Sequence, residues 1–214
     1  MGRIKGRKPE DTRDAVLTAA TVTFAERGFA NATLGMIASR AGVTAATLPY
    51  HFGDKQGLYD AVVDAIYKDL LAFGPTLSGP NSFAQVVDAV YGWAELRRDG
   101  IRVMLRSIIE AGGLDTKIRE LRMGPVLDGM SRLIASHYET PVTSAREMVV
   151  TLTHLVMRFV TNRPEDNCVA FGVATPAEAR ARIVDVMARV GADLLGVTPD
   201  AHGGAASHAP RHTP

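Results

Sequence analysis

The sequence predicts an all-α protein in which a small helical domain precedes a larger one. Apolar residues recur at helical spacing along most of the 214 residues, and no segment keeps the strict alternation of a β-strand. Apolar residues make up 46% of the chain, as in ordinary globular proteins. We divide the chain into residues 1–55, 56–198 and 199–214. The last segment is rich in Gly, Ala, His and Pro, and we expect it to be disordered.

The first helix is predicted over residues 13–27. Val16, Ala20 and Phe24 fall at i, i+4 and i+8, which places them on one face. Gly28 follows directly, and glycine is the residue that most often ends a helix.

Two short helices joined by a tight turn are predicted next. Thr33 is a suitable N-cap for the first of them, and Gly42 ends it. Thr44 is predicted to cap the other, which contains Pro49. Because proline lacks an N–H group, we expect Pro49 to stiffen or bend the end of that helix. A helix, a turn with a glycine and a short helix form the helix-turn-helix pattern.

Helical periodicity resumes at residue 54 and continues to residue 195. The predicted helices span residues 54–73, 83–98, 101–111, 115–138, 144–161 and 176–195. Pro125 should kink or split the helix that contains it, and residues 163–175 are predicted to be a connection.

Basic charge is concentrated at the start of the chain. Residues 1–55 hold eight basic and five acidic residues, with four of the basic ones between Arg3 and Lys8.

Cysteine content and apolar run lengths exclude several classes of protein. Cys168 is the single cysteine, so an internal disulfide and a CxxC metal site are excluded. No apolar run is long enough to cross a membrane, and the N-terminus is not a signal peptide, so we expect a cytoplasmic protein.

No catalytic motif stands out. The sequence contains no Walker A, Rossmann, GxSxG or HExxH pattern, and Cys168 has no histidine near it. We therefore predict that the protein is not an enzyme and expect no cofactor or metal.

Residues within the first 60 resemble the DNA-binding region of the TetR family of repressors. The resemblance is carried by the segment FAERGF (residues 24–29), Thr33, Ile37-Ala38, Ala41-Gly42-Val43, Tyr50-His51-Phe52 and Lys55. Pro49 departs from the family, which usually has an aromatic or polar residue there. The resemblance implies a helix-turn-helix DNA-binding domain in residues 1–55 and a ligand-binding and dimerisation domain in residues 56–198.

The third helix is the expected recognition helix. It can be short, because only about its first turn and a half needs to enter a major groove. Small residues let its backbone approach base edges, while the residues at its end and at the next helix start can reach phosphates. The predicted contacts are Thr33, Thr44, Ala45, Ala46, Thr47, Tyr50, His51 and Lys55. His51 could instead cap or pack. The basic arm (Arg3, Lys5, Arg7 and Lys8) is predicted to contact DNA, the alternative being a solvated tail.

The resemblance also implies a homodimer and a small-molecule inducer, with the helix at residues 54–73 linking the two regions. The apolar faces of residues 144–161 and 176–195 are the predicted interface, and an intramolecular core is the alternative. The predicted pocket lining is Trp93, Met104, Ile108, Met123, Leu127, His154, Met157 and Phe159. We thus expect a dimeric repressor released from a palindromic operator by a ligand. A DNA-binding regulator without a small-molecule ligand is the alternative, and an enzyme is the remote one.

Overall fold

The computed structural model describes residues 9–77, 82–110, 116 and 119–200. These residues form ten α-helices and no strand, which confirms the all-α prediction. The chain divides into two compact units. The first comprises the described parts of Met1–Leu70 and Asp99–Leu114, and the second those of Leu71–Arg98 and Asp115–Pro214.

The first unit contains three whole helices and most of two others. They are α1 (Pro9–Asn31), α2 (Leu34–Ala41), α3 (Thr47–Phe52), α4 (Lys55–Phe73) and α6 (Arg98–Glu110), of which α4 and α6 cross the boundary between the units. Their buried side chains form one apolar core. Its members include Val16, Ala20, Phe24, Ile37, Leu48, Leu58, Val62 and Val103.

The helix α1 begins earlier than predicted and is kinked near its end. It begins at Pro9, because proline suits a first helical position and Glu10 and Asp11 suit the positive end of the helix. Gly28 has φ 74° and ψ 168°, so regular helical geometry stops at the glycine that was predicted to end the helix. A further turn then carries the chain to Asn31.

The second unit holds the remaining helices. They are α5 (Phe83–Leu96), α7 (Gly124–His137), α8 (Val142–Thr161), α9 (Pro164–Phe171) and α10 (Pro176–Leu195). A 3₁₀ turn, Gly74–Leu77, follows α4 and a π-helical turn, Arg119–Met123, precedes α7. Pro125 lies in the first turn of α7, directly after the π-helical turn, and the predicted kink or split at this proline stays a prediction.

The connection predicted over residues 163–175 is wrong, because it contains the helix α9. Pro164 and the acidic pair Glu165 and Asp166 begin this helix, and Gly172 ends it with φ 62°. The helix is only two turns long and its apolar spacing is weak, so sequence periodicity missed it.

Much of the apolar surface that was predicted to form a dimer interface lies inside the chain's own core. This set comprises Met148, Val156, Ile183, Met187, Ala188, Gly191 and Ala192. Gly191 allows close packing inside the chain, because a Cβ atom there would lie 2.7 Å from Phe83 and 3.0 Å from Leu152. For these residues the alternative, an intramolecular core, is correct.

Arg180 of α10 ties that helix to α5 in the second unit. Its guanidinium lies 2.7 Å from Asp88 and 2.8 Å from Glu95, and 5.7 Å from the ring centre of Tyr91. Tyr91 is only 2% exposed. Burial raises the pKa of the Tyr91 phenol to about 12, with the nearby Glu95 carboxylate acting in the same direction.

The predicted tail begins at Pro199, whose carbonyl oxygen accepts a hydrogen bond from the N–H of Ala84. Residues 201–214 lie outside the described residues, and the disorder predicted for them stays a prediction.

Candidate nucleic-acid interface

The helices α2 and α3 and the turn between them have helix-turn-helix connectivity. Thr33 is the N-cap of α2, as predicted, and its Oγ1 accepts a hydrogen bond from the N–H of Met36. Gly42 ends α2 in the left-handed conformation with φ 68°, which its missing side chain permits. Ile37 and Leu48 then anchor the two helices in the core, so the opposite faces remain exposed.

The prediction that Thr44 caps α3 is wrong, because the helix begins at Thr47 and Ala46 is its N-cap. Thr44 lies in the preceding turn. Its carbonyl accepts the N–H of Thr47, and the two threonine hydroxyls are 3.0 Å apart. Ala45 and Ala46 are exposed in the same turn rather than in the helix.

Pro49 explains why α3 begins late. A helix starting at Thr44 would need an N–H at residue 49 to bond the carbonyl of Ala45, and proline has none. The N–H of Leu48 donates to that carbonyl instead, at 3.4 Å. Pro49 therefore lies in the first turn of α3, where a missing N–H costs nothing, and not at the end of the helix that it was expected to stiffen or bend.

The end of α3 presents two aromatic side chains. Tyr50 is 85% exposed, and its ring contacts the half-buried ring of His51 edge to face, with 5.0 Å between centres. Phe52 is half-buried and packs against the apolar core. An exposed phenol next to an imidazole can donate hydrogen bonds to phosphate oxygens.

A glycine that sequence reasoning missed fixes the position of α4 against α3. A Cβ atom on Gly57 would overlap the carbonyl oxygen of Phe52, so only glycine allows this approach. The N–H of Gly57 also donates to Oδ1 of Asp54, at 2.8 Å. No signal in the sequence points to this role, because Gly57 lies within a helical segment, where periodicity carries no information about close backbone approach.

Lys55 is the first residue of α4, but its side chain turns toward α1. Its Nζ donates to the carbonyl of Ala30 at 3.1 Å and lies 4.6 Å from the ring centre of Phe29. The ammonium group has three donors, so two remain for other partners. Lys55 thus joins α4 to the end of α1 and keeps the capacity to reach a phosphate.

Two further cations flank these elements. The guanidinium of Arg13 lies 5.3 Å from the ring centre of Phe52, next to the Tyr50–His51 pair, and was not among the predicted contacts. Arg40 is paired with Glu26 at 2.8 Å. That hydrogen bond lowers the pKa of the Glu26 carboxyl. The basic arm (Arg3, Lys5, Arg7 and Lys8) lies outside the described residues.

Comparison with known proteins identifies the family to which these helices belong. Residues 16–62 match the family model described as bacterial regulatory proteins, tetR family. The chain is 34% identical over 91 residues to the HTH-type transcriptional regulator TtgW of Pseudomonas putida, and the match covers 42% of this chain and 68% of TtgW. The chain belongs to the TetR family. It is thus a DNA-binding transcriptional regulator and not an enzyme.

Two further relatives are matched over a smaller share of their own length. The HTH-type transcriptional regulator SrpR of Pseudomonas putida is 35% identical over 91 residues, which are 42% of this chain and 43% of SrpR. The HTH-type transcriptional repressor BepR of Brucella suis biovar 1 (strain 1330) is 41% identical over 63 residues, 29% of this chain and 30% of BepR. The matches therefore span less than half of either relative.

Solved structures share the fold over most of the chain. A transcriptional regulator (RHA1_ro04179) of Rhodococcus sp. Rha1 has a TM-score of 0.63 at 20% identity, covering 87% of this chain and 99% of that one. A transcriptional regulator of Aquifex aeolicus VF5 has a TM-score of 0.63 at 11% identity, covering 84% and 99%. At these identities the likeness establishes the TetR-like fold alone.

The predicted ligand-lining residues are divided between the units. Met104 and Ile108 belong to the first, and the other six (Trp93, Met123, Leu127, His154, Met157 and Phe159) to the second. Seven are half-buried, whereas His154 is exposed, with its Nδ1 2.7 Å from the carbonyl of Val150. A separate open groove of about 430 Å³ lies at the start of α10, lined by Gly172, Val173, Ala174, Glu178, Ala181 and Arg182.

No helix in the described part of the chain combines the length and apolar character needed to cross a bilayer.

Proposed function

We propose that this regulator is a homodimeric repressor that binds a two-fold symmetric operator and is released by a small molecule. The observation that carries the DNA-binding part is the surface formed by the turn before α3 and by α3 itself. Ala45 and Ala46 at one end of this surface are small and exposed, and Tyr50 at the other end is exposed. This arrangement suits a helix whose first residues lie in the major groove against base edges and whose last residues contact phosphates.

The predicted contacts divide into residues that read bases and residues that contact the DNA backbone. Thr47 offers a hydroxyl and a methyl group, so it reads bases together with the methyl groups of Ala45 and Ala46. Thr33, Thr44, Tyr50, His51 and Lys55 contact the sugar-phosphate backbone, and the basic arm adds phosphate or minor-groove contacts. We add Arg13 to this set, because its guanidinium lies beside the end of α3. A protein with this role works in the cytoplasm.

The dimer is proposed to form through the outward faces of α8 and α10. The inner faces are occupied by the chain's own core, but Thr153 and His154 of α8 and Ala177 and Ala181 of α10 are exposed. Ala181→Glu would place a carboxylate on this face without touching the core. We expect it to shift the sedimentation coefficient from dimer to monomer, whereas Ser136→Glu on the exposed face of α7 should leave the dimer intact. A dimer unaffected by Ala181→Glu would place the interface elsewhere.

Repression and release are tested separately. In vitro transcription from a promoter overlapping a DNA site selected by the protein should fall as the protein is added; a rise would make it an activator. For release, a ligand must bind a conformation that misplaces the recognition helices, which couples the two binding equilibria by typically ~1–3 kcal/mol. Operator DNA must then weaken ligand binding by the same factor. Equal ligand affinities with and without DNA would favour the regulator without an inducer.

A further inference from the structure

The kinked end of α1 is a meeting point for three other helices. We call residues 26–30 the α1 corner. The kink at Gly28 interrupts the helical hydrogen-bond pattern, so carbonyl groups near it need other donors. Lys55 of α4 donates to the carbonyl of Ala30, and Arg106 of α6 donates to the carbonyl of Glu26 at 3.4 Å. A basic side chain is a suitable donor at the negative end of a helix.

The Arg106 side chain is held over the corner by a second contact. Its Nη1 lies 3.0 Å from Oε1 of Glu110, one turn further along α6. A Cβ atom on Gly28 would lie 2.7 Å from that carboxylate oxygen and 3.0 Å from the Arg106 guanidinium. The Arg106–Glu110 pair therefore rests directly on the bare backbone of Gly28, and any larger residue would displace it.

The α1 corner in turn contacts the helix that precedes the recognition helix. The Glu26 carboxylate bonds Arg40, in the last turn of α2, at 2.8 Å. Two residues after Arg40 the chain turns at Gly42 toward α3. A continuous series of polar contacts therefore runs from α6 through α1 to the base of the turn that sets the direction of α3.

We propose that Arg106 is a positioning residue for DNA binding, which holds the α1 corner, and through Arg40 the recognition helix, in the orientation that fits DNA. Arg106 and Glu110 have side-chain exposures of 41% and 43%, so their ion pair by itself adds little to stability. The contact that matters is the one to Glu26, which joins residues 80 apart in the chain. A displacement of α6 would reach the DNA-reading surface by this route as well as through α4.

The test compares Arg106→Ala with Arg189→Ala, using DNA selected from a random-sequence pool by the wild-type chain. Arg189 is a matched control, since it forms an i,i+4 ion pair with Asp185 that stays within α10. We expect Arg106→Ala to weaken DNA binding at least about fivefold, the lower end of typical couplings between sites. Arg106→Lys should recover part of the loss, and Arg189→Ala should bind as the wild type does.

The salt dependence separates positioning from direct contact. Arg106 is proposed not to touch phosphate, so the slope of log affinity against log salt should be the same in Arg106→Ala as in the wild type. A reduced slope would make Arg106 a phosphate contact and overturn the proposal, as would an affinity equal to that of Arg189→Ala. If Arg106→Ala unfolds at the assay temperature, Glu110→Ala decides: it removes the acceptor that holds the guanidinium over the α1 corner and should weaken binding, and wild-type affinity would overturn the proposal. Failure of the wild-type chain to select any DNA would instead contradict the proposed function.

Discussion

The first turn of α4 passes so close to the end of α3 that Gly57 and the carbonyl oxygen of Phe52 leave no room for a Cβ atom between them. The obstructing atom belongs to the backbone, so it cannot rotate away as the end of a side chain could. The position of the recognition helix relative to α4 therefore depends on a residue without a side chain.

Gly57→Ala should consequently destabilise the first unit and weaken DNA binding. Forcing an extra methyl group into a packed contact typically costs about 1–3 kcal/mol. Thermal unfolding and DNA affinity below the unfolding transition measure the two effects. Gly129→Ala is the control, because Gly129 lies in α7 with nothing within 4 Å of a Cβ atom. That change should stabilise the chain by about 0.5–1 kcal/mol. Equal effects of the two substitutions would mean that α3 and α4 adjust without cost.

Thr47→Ala should change which bases are preferred. Thr47 begins α3, and its hydroxyl and methyl groups are the most distinctive chemistry near the expected base edges. Selection of DNA from random pools by the variant and the wild type would compare the preferred sequences. Tyr50→Phe is the contrast, since losing a phosphate contact should weaken binding to all sequences alike. An unchanged preference in Thr47→Ala would place the reading residues elsewhere.

Lys55→Ala should lower the magnitude of the salt slope by about one unit per half-site. In the protein without DNA, the ammonium group donates to the carbonyl of Ala30 and lies over the ring of Phe29. The change in slope follows if the same group also contacts a phosphate in the complex. Affinity measured over a range of salt concentrations gives the slope. A loss of affinity with an unchanged slope would show that Lys55 acts only by joining α4 to α1.

The stability of the second unit should fall at alkaline pH through Tyr91. Its pKa is raised from 10 to about 12, so the folded state keeps a proton that the unfolded state releases. The stabilisation is therefore complete below pH 10 and is lost as pH rises toward 12, by about 1 kcal/mol between about pH 9 and about pH 11. Denaturant unfolding at the two pH values measures it. Tyr91→Phe has no phenol to titrate there and should lose less stability over the same interval. Parallel losses in both proteins would contradict the assignment.

Sequence reasoning predicted the helices with strong apolar periodicity and the residues with specific backbone roles. Gly28, Thr33 and Gly42 act where their types suggested, because left-handed conformations and caps depend on neighbours close in the chain. The start of α3 was predicted wrongly, because Pro49 has no N–H to bond the carbonyl of Ala45 and the first turn therefore begins later, at Thr47.

Contacts between distant segments could not be predicted in the same way. The approach of Gly57 to Phe52 and the donation from Arg106 to Glu26 depend on how helices pack, which one sequence does not specify. The same limit explains why Ile183 and Met187 were assigned to a dimer interface. An apolar helix face can pack against a partner subunit or against the chain's own core, and the sequence pattern is the same in both cases. Here Ile183 and Met187 are buried in the core.

The symmetry of the bound DNA tests the central claim most directly. Two copies of α3 related by a two-fold axis would enter major grooves about 34–36 Å apart, or further apart on a longer operator. Selection of bound DNA from random sequence, followed by footprinting, should give an inverted repeat protected on both half-sites. A single asymmetric half-site bound by one chain would contradict the account.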